Sequence, residues 1–122
     1  MAANETTLMT ANEAASVTGV PLRQVHRIID AGLLEGAVKQ RRNARLVPRK
    51  ALVGLKLAHE TAHVLTLAGR RAIISSSIRR PRQSMIRAAS VVVDARPAVK
   101  AVRAGLDQLA KARRLVSARL TS

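Results

Sequence analysis

Residues Thr10–Leu34 run TANEAASVTGVPLRQVHRIIDAGLL. Thr10 and Glu13 stand at capping-box spacing, where a hydroxyl and a carboxylate satisfy backbone N–H groups that a helix start leaves unbonded. Ala11, Ala14, Ala15 and Val17 then give a narrow face of small residues, which lets a second helix cross closely. Gly19 falls just past that helix, where a left-handed backbone is commonly needed. Pro21 opens the second helix, since a first-turn N–H would have no partner anyway. Val25, Ile28 and Ile29 at i, i+3 and i+4 make its buried stripe. At about 100° per residue, Arg23, Arg27 and Asp30 lie opposite that stripe, with Gln24 and His26 on its flanks. Gly32 ends the helix, and Leu33 and Leu34 turn back to the core. The stretch is two amphipathic helices about a tight turn, the second with a free basic face.

Downstream, AVKQRRNARLV (37–47) places two short extended pieces, Ala37–Gln40 and Arg45–Val47, around a basic tip at Arg41, Arg42, Asn43 and Ala44. Asn43 is the residue expected to take the unusual turn angles. Between Val38 and Lys50 lie six basic residues and no acidic one. Pro48 opens a third helix with Leu52, Leu55 and Ala58 inward. Upstream, residues 1–7 read as a loose polar lead-in. Residues 66–80 fit a helix begun by Thr66, with Leu67, Ile73, Ile74 and Ile78 apolar, although Gly69 and Ser75–Ser77 weaken it. PRQS (81–84) is a turn, and Met85–Val93 ends in a β-branched run expected to form one strand. Asp94 caps a last helix with Pro97 in its first turn. Val99, Val102, Leu106 and Leu109 form its apolar stripe, which suits packing against its own domain or a dimer contact.

The expected fold class is therefore mostly α with a small β-hairpin wing. A winged helix-turn-helix head over 1–60 is followed by an α-rich extension over 61–122 with one strand, suited to dimerisation or partner binding. The chain has 122 residues, 22 Lys and Arg against seven Asp and Glu, and a net charge of +15. Such an excess suits a partner carrying phosphates. No Phe, Tyr or Trp is present, so the stacking platforms that hold single strands are missing and duplex binding is favoured. The lack of cysteine excludes disulfides, thiolate metal sites and cysteine catalysis. The polar start MAANETT lacks a signal peptide's basic and apolar regions. No apolar run approaches the ~20 residues that span a bilayer. The expectation is a cytoplasmic protein that does not bind membranes.

An α-helix fits the major groove of B-DNA, and its early side chains then reach base edges. Arg23 and Gln24 are the expected base readers, since Arg pairs bidentately with guanine and Gln with adenine. His26 and Arg27, about a turn later, suit phosphates. Lys39, Arg41, Arg42, Asn43 and Arg45 of the wing suit the backbone or the minor groove.

These residues also carry a resemblance. Thr10-x-x-Glu13-Ala14-Ala15, Thr18-Gly19-Val20, Arg27-x-Ile29, Gly32-Leu33 and the Val47-Pro48-Arg49 entry into helix three resemble the winged helix-turn-helix of MerR-like and excisionase-type proteins over residues 8–58. Val91-Val92-Val93-Asp94 and Ala112-Arg113-Arg114-Leu115-Val116 are similar to the DNA-binding part of VapB-like antitoxins. The resemblance implies a homodimer that binds a double-stranded operator as an antitoxin and autoregulator, with a ribonuclease-type toxin protein as a further partner. The excisionase likeness implies a DNA-architectural role instead. No cofactor, bound metal or enzymatic activity is expected.

The rival from a different class is His59-Glu60-Thr61-Ala62-His63. On a helix, this string puts two imidazoles on one face for Zn²⁺ with Glu60 as general base, as in a small zinc metallohydrolase. Against it, the extended form of the motif wants Gly and His where this chain has Thr66 and Gly69, and no further histidine lies downstream.

Overall fold

A computed structural model of the chain describes residues 7–34, 36–88 and 91–121, and the side chains of these residues except at 88 and 117–121. The lead-in at 1–6 lies outside the described residues. Strand β1 (Leu8–Thr10) runs into helix α1 (Ala11–Thr18), and α2 (Leu22–Asp30) follows. The hairpin β2 (Lys39–Arg41) and β3 (Ala44–Pro48) passes through a 3-10 turn, Arg49–Ala51, into α3 (Leu52–Glu60). Helix α4 (Leu67–Arg79), the strands β4 (Met85–Ala88) and β5 (Val91–Asp94), and α5 (Arg96–Thr121) complete the order. The fold is mostly α, with two small antiparallel sheets among the described residues.

Local chemistry sets the boundaries. Thr10 Oγ1 accepts the Glu13 N–H at 3.1 Å and Glu13 Oε1 accepts the Thr10 N–H at 3.0 Å, closing the capping box. Gly19 (φ 77°) and Gly32 (φ 73°) take left-handed angles just beyond α1 and α2. Thr66 caps α4 by accepting the Gly69 N–H at 3.1 Å, so the glycine that weakens the helix lies in its first turn, where the threonine offsets the loss.

Three features depart from expectation. Residues Leu8–Thr10 form a strand that completes an antiparallel sheet in the order β1-β3-β2. Met9 faces Val47 across that ladder, and both are buried. The left-handed position at the wing tip is Arg42 (φ 55°), not Asn43. The single strand expected over Met85–Val93 is a hairpin instead: β4 pairs with β5 antiparallel, with Ile86 opposite Val93. Its buried residue, Ile86, faces the core, while Val92 is 52% exposed.

One core serves both halves of the chain. Val17, Val25, Ile28, Leu33, Leu34, Val47, Leu52 and Leu55 of the head share a continuous buried cluster with Ile73, Ile74, Ile86, Ala98 and Val102 of the extension. Val99, Leu106 and Leu109 are half-buried against it, so the stripe of α5 packs on its own protein. Helix α3 accepts α4 at Gly54, where a Cβ would meet Ile74 Cγ2 at 3.2 Å. Helix α5 crosses α1 more closely still, at Gly105, where a Cβ would stand 2.8 Å from the Val17 carbonyl carbon. Among the described residues, no helix is long and apolar enough to cross a membrane.

Candidate nucleic-acid interface

Helix α2 is held from behind and left free in front. Val25 and Ile28 are buried and Ile29 half-buried, while Arg23, Arg27 and Asp30 are exposed. Gln24 and His26, the flank positions, are half-buried. The turn that aims α2 is locked on both sides. Thr18 Oγ1 donates to the Ala14 carbonyl at 2.7 Å and accepts the Val20 N–H at 3.2 Å. Lys56 of α3 donates from Nζ to the Thr18 carbonyl at 2.8 Å, bonding and countercharging the negative end of α1. At the far end, Leu33 donates its N–H to the Ile28 carbonyl at 3.3 Å around Gly32, and Arg71 of α4 reaches the Ala31 carbonyl at 3.3 Å. The pitch of α2 is thus set by α1, α3 and α4 together.

The wing stands beside it. Lys39, Arg41, Arg42 and Asn43 are all exposed, and Gln40 Nε2 donates to the Arg42 carbonyl at 3.4 Å across the tip. Arg45 behaves differently. Its guanidinium bridges back to α2, reaching Asp30 Oδ1 at 2.5 Å, the His26 carbonyl at 3.4 Å and His26 Nδ1 at 3.3 Å. An ion pair this exposed, with Asp30 at 62%, contributes at most about 1 kcal/mol. Its consequence is geometric: it spans the cleft lined by Ile29, Asp30, Val38 and Gln40 and holds the wing against the helix. Arg45 and His26 are therefore engaged with each other, whereas Arg23, Arg27, Lys39, Arg41 and Arg42 present their charge outward.

Sequence periodicity missed one contributor. Leu22 stands three residues before Val25 and would join the buried stripe. At the first turn of α2 it instead remains 39% exposed beside Arg23. An apolar side chain there suits a thymine methyl. The only signal was its position at the helix start, where the stripe leaves the core.

The histidine string straddles the end of a helix. Helix α3 ends at Glu60 with Thr61 as its C-cap, so His63 falls in the following turn rather than one turn along the same helix from His59. Among the described residues, no three of His, Cys, Asp and Glu gather as a ligand group.

Elsewhere the electrostatics are structural. The Glu13 carboxyl is held below its ordinary 4.5 chiefly by the Thr10 backbone N–H; burial opposes the shift, and Arg113 of α5 adds to the lowering. Asp94 is lowered chiefly by the Arg96 guanidinium, and it also accepts the Arg96 N–H at 3.0 Å at the start of α5. Compared with protein-family models, curated proteins and solved structures, the chain gives no match.

Proposed function

We propose that this protein binds a specific site in double-stranded DNA, with α2 in the major groove and the hairpin wing on the adjoining backbone. The observation that carries the reading is the outward row of Arg23 and Arg27 on a helix pinned from behind, next to a wing whose Lys39, Arg41 and Arg42 are equally exposed. Arg23 and Gln24 read base edges, aided by Leu22, while Arg27 and the wing cations hold phosphates. Gln24 does so from a half-buried position, which limits its conformers before binding. Arg45 and His26 act mainly by fixing the wing's angle to α2.

In this proposal the protein works in the cytoplasm as a binding protein rather than an enzyme. It regulates its own operon as an antitoxin, with a ribonuclease-type toxin as partner; that assignment rests on the sequence resemblance. The stripe Val99–Leu109 is partly used inside the protein, so a homodimer would form through the end of α5. Leu115 and Val116 there are 63% and 57% exposed.

Gel-shift titration against the DNA upstream of the gene tests the core of the proposal. Arg23→Ala is expected to weaken specific binding by about 5- to 150-fold, the ~1–3 kcal/mol of a bidentate base contact. Equal affinity of wild type and variant at every salt concentration would show that α2 is not the reader.

A further inference from the structure

A second basic surface lies between the 81–84 turn, the Arg49 turn and α5. Two adjoining cavities of about 280 and 400 Å³ meet there and share Arg82, Val99 and Arg103. The first is also lined by Arg49, and the second by Lys100. No acidic side chain lines either cavity among the described residues. Arg96 also lines the second, but Asp94 holds it in an ion pair at 2.9 Å. This surface has an apolar floor: Val99 and Leu106 are half-buried, beside the buried Val53 and Val102.

We propose that this groove docks an acidic polypeptide segment of a partner protein, one that carries apolar side chains between its carboxylates. Charge complementarity selects the sign of the occupant, because Arg82, Lys100 and Arg103 are exposed around the groove. The floor selects its class. A DNA backbone offers only small sugar C–H edges between its phosphates, whereas a Leu or Ile side chain over Val99 and Leu106 removes a larger apolar surface from water at about 25 cal/mol per Å². A second copy of the chain, itself at +15, is repelled from the same rim. The groove does not include α2 or the wing, so this docking does not depend on the DNA reading.

The test is fluorescence anisotropy of the full chain with a short labelled peptide bearing Leu at i, i+3, i+4 and i+7 and Glu elsewhere. Arg82→Glu/Arg103→Glu is expected to weaken peptide binding by roughly tenfold or more, as charge reversal at a complementary rim does. Arg23→Glu/Arg27→Glu, with the same change in net charge, should leave it within about twofold, because neither arginine lines the groove and exposed charges are screened by salt. Replacing Leu by Ser in the peptide should abolish binding. The proposal fails if the peptide does not bind, if both double variants weaken it equally, or if the Ser peptide binds as well, since binding would then be general attraction to a cationic chain. It fails in favour of a nucleic-acid surface if Arg82→Glu/Arg103→Glu weakens a duplex as much as the peptide. Circular dichroism of each variant establishes that the fold is retained, and Lys100→Glu, exposed on the same rim, repeats the test independently.

Discussion

Gly105→Ala separates the two halves of the fold energetically. A methyl added at Gly105 would lie 2.8 Å from the Val17 carbonyl carbon and 2.9 Å from its Cα, and nearer still to the carbonyl oxygen. Carbon atoms in contact settle at about 3.5–4.0 Å, so α5 must retreat by roughly 1 Å. The obstacle is backbone, so no rotamer change relieves it. Retreat loosens Val102, which is only 5% exposed, together with the half-buried Val99, Leu106 and Leu109. Overpacking of this kind costs about 2–3 kcal/mol. Replacing a mid-helix glycine by alanine returns about 1 kcal/mol of helix propensity. The net expectation is a loss of about 1–2 kcal/mol, seen as a fall in Tm of about 4–8 °C for a chain of this size. Thermal denaturation followed by circular dichroism measures it. Ala104→Gly, at an exposed neighbour on the same helix, reports the propensity effect alone. A Tm for Gly105→Ala equal to or above wild type would mean that propensity dominates and that α5 does not press on α1.

Three other measurements bear on the reasoning. Because Glu13 is lowered below 4.5 in the folded chain, its stabilising effect is complete above that pH and fades as pH falls through the lower folded value. The gap in Tm between wild type and Glu13→Gln should therefore be widest above pH 4.5 and close in stronger acid; a gap unchanged by pH would contradict the charge-based account. Arg45→Ala should weaken DNA binding several-fold with little change in Tm, and Arg45→Lys should not restore it, because an ammonium cannot reach Asp30 and both His26 acceptors as the guanidinium fork does. Full restoration by lysine would make Arg45 a plain phosphate contact. Sedimentation velocity should give a dimer for the wild type and a monomer for Leu115→Glu/Val116→Glu; a variant that remains a dimer would locate the contact elsewhere, and a monomeric wild type would refute the homodimer.

The head was legible because its signals are local. A capping box needs residues three apart, a helix stop needs one glycine, and a buried stripe needs only the 3.6-residue period. Strand β1 escaped notice because three residues are too few to show alternation. It exists because β3 offers a ladder edge that Met9 can cover from the core side. The tip angle moved from Asn43 to Arg42 because the pairing of Arg41 with Ala44 leaves a two-residue turn with Arg42 first. The Val91–Val93 run gives no sign of β4, whose pairing is a relation between two segments rather than a property of either.

The same division applies to the candidate site. The sequence alone was enough to determine the two helices, the turn between them, the apolar stripe that buries one side of α2 and hence the arginines left on the other. Those follow from steric and hydrogen-bonding rules that act within a few residues. Only the tertiary structure decided that Arg45 would brace the wing rather than face outward, since its partners lie 15 and 19 positions away. It also decided that α5 would share the head's core, because a helix can approach a backbone that closely only where a glycine meets it, and Gly105 meets Val17 only after the chain has folded across itself.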